Sequence, residues 1–323
     1  MSASSLLRHL HLARITPFAR ATAIQDTFVR QHLDYKALNT APFFDSPPPP
    51  SPIPTILTFS PTPVYTTGRR ELGKLSAATV ALLREPLPEI LGTGGLDNGY
   101  ANGFSPDVEE TLRGGQITLH GPGQLVIYPI LDLKAVKSAK WPKGLTAKCY
   151  VNVLEEATIN TLKSFGIRGF RTENPGVWVS KDEKIAALGL HLRRNVTSFG
   201  VGLNVRTDLR YFDKIVACGL EGKKTTSIKQ ELKQEYGLSM ANHIRHSKRV
   251  SMSPREVSMA KTLVTRAKMT NLSRSWVEEF KTLVWGDQVN LQSAKVSGES
   301  SEEVFLRLLE LDDAAQDCDH WTW

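Results

Sequence analysis

Cys218 lies in the run Ile215-Val216-Ala217-Cys218-Gly219-Leu220, where a thiol is followed at once by glycine. Glycine permits a tight turn and leaves backbone N–H groups for a developing oxyanion, so a thiolate here could attack a carbonyl. A free cysteine is usually just a small buried hydrophobe, and that reading stays open. Lys184 stands at the mouth of the apolar run Ile185–Leu190. Partial burial there would lower its pKa. Beside Lys181, Asp182 and Glu183 it also reads as a solvated turn lysine. A third segment, Arg113 to Gln124, reads Arg-Gly-Gly-Gln-Ile-Thr-Leu-His-Gly-Pro-Gly-Gln. Glycines among polar residues let backbone approach a ligand closely, so this loop could floor a site. A decorated hairpin turn is the plainer alternative. The hydroxyls of Thr225-Thr226-Ser227 precede a charged helical stretch and read as a helix cap.

Regular elements must position these groups. The short apolar run Leu125–Leu131 behind the glycine-rich loop reads as a core strand. Residues 22–36 carry Ile24, Phe28 and Val29 near helical spacing. Six prolines within Ser46–Pro54 forbid regular structure there and suggest a surface linker. Ile53–Phe59 and Val64–Arg70 read as strands. The glycine-rich stretch 86–107 reads as an inserted loop. Tyr150, Val153, Leu154, Ala157, Leu162 and Phe165 make a helix face, with Gly166 placed to end it. Gly176–Val179 and Ile185–Leu190 flank a charged turn as a β-hairpin would, and Thr197–Val205 is a further strand. Ser253-Pro254-Arg255-Glu256 is a helix start. The chain after Trp285, acidic around Leu311–Asp319, reads as peripheral. Hairpins with segregated helices argue for an α+β fold of mixed and antiparallel sheets, helices packed on one side. The expected division is a catalytic domain over 1–285 and a C-terminal extension over 286–323.

With 323 residues the chain can bury a substantial core, and no apolar run reaches membrane-spanning length. Three scattered cysteines and no Cys-x-x-Cys argue against disulfides and zinc. The net charge of +7 suits an acidic partner, but no aromatic-basic interleaving points to nucleic acid. The first 25 residues hold Arg8, Arg14 and Arg20 and no acid, which is how a mitochondrial presequence looks. They read equally as the first strand and helix of the fold.

In order, Thr67-Gly68-Arg69, Arg113-Gly114-Gly115, His120-Gly121-Pro122-Gly123-Gln124, Tyr128-Pro129, Gly176–Val179, Lys184-Ile185-Ala186, Leu203-Asn204-Val205, Cys218-Gly219 and Thr226-Ser227 resemble the lipoyl(octanoyl) transferase family. The resemblance spans residues ~60–230. It implies a biotin/lipoate-ligase-like catalytic domain and acyl transfer by a cysteine thioester, with Cys218 as nucleophile and Lys184 as its partner. Arg113, Gly114, Gly115, His120, Gly121, Gly123, Gln124, Ala187, Leu188, Gly189, Phe199, Gly200 and Asn204 are the substrate-binding residues it implies, with the Gly219 N–H as a candidate oxyanion donor.

The same resemblance implies octanoyl-acyl carrier protein as donor and no cofactor or metal. Its implied acceptors are lipoyl domains of 2-oxoacid dehydrogenase complexes and the glycine cleavage H protein. It also implies a mitochondrial setting without nucleic-acid or membrane partners. An ATP-dependent lipoate or biotin ligase would have no need of Cys218, which separates that alternative. A non-catalytic lipoyl-domain-binding homologue is a third reading, supported by Phe199 where the family usually has histidine. Leu119 and Ala217 are milder departures, standing where an aromatic residue and a proline are common.

Overall fold

A computed structural model describes residues 6–39, 50–87, 105–234 and 268–296. Strand β1 (Leu6–Thr16) runs into helix α1 (Phe18–Leu38) through Pro17. Proline cannot donate to a strand ladder, so the change of element falls there. The helix starts four residues earlier than the apolar spacing from residue 22 suggests. Its buried Phe18, Ala21, Ile24, Gln25, Phe28 and His32 form one stripe.

The main sheet adds β2 (Thr55–Pro61), β6 (Gln124–Ile130), β7 (Val177–Trp178), β8 (Glu183–Arg193), β9 (Val196–Asn204), β10 (Lys224–Thr225) and β11 (Asn290–Val296). Its order is β10-β8-β9-β6-β2-β1-β11, with β7 on β8. It is mixed. β1 runs parallel to β2 and β11, and β10 parallel to β8, while β2, β6, β9 and β8 pair antiparallel in succession. A second sheet joins β3 (Val64–Thr67), β4 (Asp107–Glu110) and β5 (Thr118–His120) in the order β4-β3-β5. The other helices are α2 (Ala77–Arg84), α3 (Ala147–Lys163) and α4 (Met269–Trp285).

The α+β class holds, but the helices do not keep to one side. Side chains alternate across a strand, so each strand feeds two cores. Leu7, Ile56, Leu125, Ile127, Val201 and Leu203 pack with α3 and α4 residues such as Leu154, Trp276 and Phe280. Leu10, Leu57, Phe59, Val126 and Tyr128 face the other way and pack with Phe18, Ile24 and Phe28 of α1. Strands this apolar on both faces need cover on both, as sheets buried on two sides do.

Two further expectations change. The arginine-bearing start of the chain is core structure from Leu6 onward, with Arg8 buried over the ring of Phe28 at 5.8 Å. Those residues are therefore strand and helix of the fold. The expected boundary at residue 285 also fails, because β11 pairs with β1 inside the main sheet. Most of the 86–107 stretch, the helix start at Ser253 and the acidic tail lie outside the described residues. Residues 50–54 carry no regular structure, as their prolines dictate.

Candidate active site

The register of β8 on β9 makes a trough. Ala187 pairs with Gly202 and Gly189 with Gly200, so four small residues share one face. On the opposite face the same strands place Ala186, Val201 and Leu203 in the core. The trough is thus a strip of sheet where side chains that would fill the layer are missing. The loop from Arg113 roofs it. The Gly114 N–H donates to the Leu190 carbonyl at 2.7 Å, and a Cβ on Gly189 would sit 2.9 Å from Arg113 Cδ. Arg113 is held in turn by Thr66 of β3, whose carbonyl and hydroxyl accept from its guanidinium at 2.5 and 2.9 Å. The Thr67-Gly68-Arg69 segment locks the same loop from behind, with Arg69 N–H donating to the Arg113 carbonyl at 2.9 Å.

Between roof and trough lies a cavity of about 310 Å³, in the range of small-molecule sites. Of the residues expected from sequence, Arg113, Gly114, Gly115, His120, Lys184, Ala187, Leu188, Gly189, Phe199, Gly200 and Cys218 line it. Gln124 and Asn204 line a smaller adjoining cavity that shares Lys184 and Cys218. Gly121 and Gly123 line neither. They build the turn into β6, where the Gly121 carbonyl accepts from Gln124 and the Gly123 carbonyl from Val205 and Arg206.

Cys218 sits at the junction of the two cavities, in a single 3-10 turn (Ala217–Gly219). Its backbone takes φ 56 and ψ 18, the left-handed region that a side-chain-bearing residue seldom enters. Strain of this kind collects at functional sites, where surrounding contacts hold it. Here the Cys218 N–H donates to the Ile117 carbonyl at 2.9 Å. The Gly219 N–H, expected as an oxyanion donor, is instead engaged by the Val216 carbonyl at 2.9 Å.

Lys184 is buried, which settles its reading against a solvated turn lysine. Its ammonium donates to the Pro175 carbonyl at 3.2 Å and lies 4.7 Å from the centroid of the Trp178 ring. Burial pulls its pKa below the ordinary lysine value, and the charges of Cys218 and Glu155 pull the other way. Burial likewise lowers the pKa of Arg113, opposed first by Cys218. Two cationic side chains, Lys184 and Arg113, therefore interact electrostatically with Cys218.

His120 is neutral, burial holding its pKa down at about 4. Gln124 Nε2 donates to the Leu119 carbonyl at 3.1 Å and to Asn204 Oδ1 at 2.9 Å. Its Oε1 therefore accepts from His120 Nδ1 at 2.6 Å, which assigns the proton to Nδ1 and leaves Nε2 as an acceptor. Asn204 Nδ2 donates onward to the Thr226 carbonyl at 3.1 Å. Ser227 acts as the expected cap, accepting from Gln230 N–H at 3.2 Å.

Sequence reasoning passed over Trp178, Glu155 and Gly202. Glu155 anchors the loop before Lys184, with its carboxylate accepting from Gly176 N–H at 3.0 Å and paired with Arg171 at 3.2 Å. An acid on the apolar face of α3 was the available signal. The small-residue alternation Gly200-x-Gly202 was another, but only the register shows that it meets Ala187 and Gly189.

The site is thus a roofed trough of small residues that ends at a cysteine and a buried lysine. Residues 99–246 match the family described as lipoyl protein ligase A/B catalytic domain. The chain is 43% identical over 219 residues to "Probable octanoyltransferase" of Schizosaccharomyces pombe, covering 67% of this chain and 82% of that protein. It is 35% identical over 259 residues to the mitochondrial octanoyltransferase of Saccharomyces cerevisiae, covering 70% and 74%. A mitochondrial octanoyl-acyl-carrier-protein:protein N-octanoyltransferase of Danio rerio is 38% identical over 231 residues, covering 71% and 84%. The chain belongs to the octanoyltransferase family. It is an acyltransferase, and like the yeast and zebrafish relatives it is mitochondrial.

Proposed function

We propose that the protein moves an octanoyl group from octanoyl-acyl carrier protein to a lysine of a lipoyl domain, through a thioester on Cys218. The observation that carries this reading is that Cys218 and Lys184 border one cavity whose floor is the small-residue trough. From Gly202, beside Cys218, to Phe199 is three residues along β9, or about 10 Å of strand. An extended eight-carbon chain is of that length.

The Cys218 thiolate attacks the thioester carbonyl, and the tetrahedral intermediate expels the carrier thiolate, which takes a proton. Thiol-for-thiol exchange is close to neutral, so neither nucleotide nor metal is called for. The acceptor amine then attacks the acyl-cysteine, the C–S bond breaks, the amide forms and the Cys218 thiolate returns. The neutral amine loses one proton in that step and keeps the other as the amide N–H. Lys184, with its pKa lowered, is placed to relay a proton between the sulfur and the incoming nitrogen. Arg113, Gly114, Gly115 and His120 close the acyl chain in, and Ala187, Leu188, Gly189, Phe199 and Gly200 floor it. Gln124 and Asn204 fix the His120 ring. Carrier and lipoyl domains are acidic proteins, which the charge of +7 suits for docking.

The test is intact-mass measurement of the protein after incubation with octanoyl-acyl carrier protein. An octanoyl adduct is expected on the wild type and none on Cys218→Ser. Transfer to a lipoyl domain that proceeds with no adduct, or only with ATP, would sink this mechanism.

A further inference from the structure

Lys184 does not hold its place alone. Its ammonium donates to the Pro175 carbonyl at 3.2 Å, and Glu155 Oε1 of α3 accepts from the Gly176 N–H at 3.0 Å. That carbonyl and that N–H belong to one peptide unit. A trans peptide points its N–H and its carbonyl to opposite sides, so this one stands between the carboxylate and the ammonium. Its dipole is aligned with both charges, and hydrogen bonds in such a chain strengthen one another. The backbone just before it is engaged elsewhere, the Asn174 carbonyl accepting from Trp178 Nε1 at 3.0 Å and from the Thr172 hydroxyl at 3.1 Å.

Gly176 lets the stem of Lys184 lie against this peptide. Its φ is 131, in the region that favours glycine, and a Cβ there would sit 3.2 and 3.3 Å from Lys184 Cε and Cδ. Glu155 itself is only 4% exposed, beside the buried Leu154 and Thr158 of the same helix. A glutamine would satisfy the Gly176 N–H without the cost of desolvating a charge. Holding the loop therefore does not explain a carboxylate here, whereas stabilising the Lys184 ammonium does.

We propose that Glu155 is a positioning residue of the transfer, fixing the Lys184 ammonium at the edge of the cavity through the Pro175–Gly176 peptide. This rests on the octanoyl-transfer reading, in which Lys184 relays a proton, and adds the group that places it. The charges that act on Lys184 are Glu155 from α3 and Cys218 from the 3-10 turn, and Arg171 Nε faces Glu155 Oε2 at 3.2 Å. Loss of the carboxylate charge leaves the ammonium less stabilised, so Lys184 gives up its proton at lower pH. Loss of the Arg171 cation acts in the opposite sense.

The experiment acetylates the full chain over a range of pH and follows Lys184 by peptide mass spectrometry. In Glu155→Gln the midpoint of Lys184 labelling is expected to fall by about one pH unit. Turnover with octanoyl-acyl carrier protein is expected to drop about tenfold in the same variant, with KM little changed. In Arg171→Gln, at an exposed position, the midpoint is expected to rise. A Glu155 that served only the fold would leave the midpoint where it is. An unmoved midpoint in folded Glu155→Gln overturns the proposal, and if that variant does not fold, an unmoved midpoint in Arg171→Gln does so. Absence of an octanoyl adduct on wild-type Cys218 fails the transfer reading instead, and the labelling midpoint does not depend on that adduct.

Discussion

The carboxamide of Gln116 fills the space that a side chain at position 219 would need. A Cβ on Gly219 would lie 1.3 Å from Gln116 Oε1 and 2.4 Å from Cδ. Cys218 and Gly219 both have positive φ, and the loop that carries Gln116 also carries Ile117, whose carbonyl holds the Cys218 N–H. The nucleophile and the glycine-rich loop are therefore one mechanical unit, though about a hundred residues separate them.

Gly219→Ala should accordingly slow acylation, by about 100-fold if the sulfur moves by about an ångström. Gln116→Ala in the same chain removes the collision and should restore part of the rate. The rest is lost to left-handed strain at an alanine. The readout is the rate of octanoyl adduct formation by intact mass. A Gly219→Ala rate within threefold of wild type would show that the packing is not what sets Cys218.

Lys184→Ala should reduce turnover about 10²- to 10⁴-fold, the usual weight of a proton-transfer group. Its ammonium rests on the Pro175 carbonyl and against the Trp178 ring, and the fold should survive its loss, as circular dichroism at matched temperature will show. Near-normal turnover in a folded variant would remove Lys184 from the mechanism.

Gly202→Val puts branched carbon into the trough beside Cys218. Octanoyl adduct formation should drop at least about tenfold, while labelling of Cys218 by a small alkylating reagent stays comparable to wild type. If the octanoyl adduct forms at the wild-type rate, the acyl chain does not lie along β9.

Stability should fall as acid is added below about pH 6.5. Burial lowers the pKa of His9 to about 3, and those of His32 and His120 to about 4, all from 6.5. The folded chain holds each ring neutral, so their contribution is full above the unfolded value. It is lost as pH falls toward the folded values, because the unfolded chain takes up the protons first. Each histidine removes up to about 1.4 kcal/mol per pH unit in that window. Urea unfolding at pH 7, 6 and 5 measures it, and a flat profile would show that these rings are not held neutral. His9 and His11 both contact Thr58 Oγ1 at 2.9 Å under α4, so this region should loosen early.

Much of the site was legible in the chain itself. The Arg-Gly-Gly and His-Gly-Pro-Gly-Gln motifs, Lys184-Ile185-Ala186 and Cys218-Gly219 are local chemical signatures, and their order pointed to acyl transfer. Strand and helix positions followed from periodicity, since the period is a property of neighbouring residues. Three matters were decided only by the tertiary structure. Which glycines meet across β8 and β9 depends on register, and that creates the trough. Whether Lys184 is wet or buried depends on Trp178, Pro175 and Glu155, brought from other parts of the chain. That Leu6–Thr16 is a central strand depends on β2 and β11 closing on β1 from either side. Burial and register are sums over partners distant in sequence, so residue types along the chain name the chemistry while the fold decides its geometry.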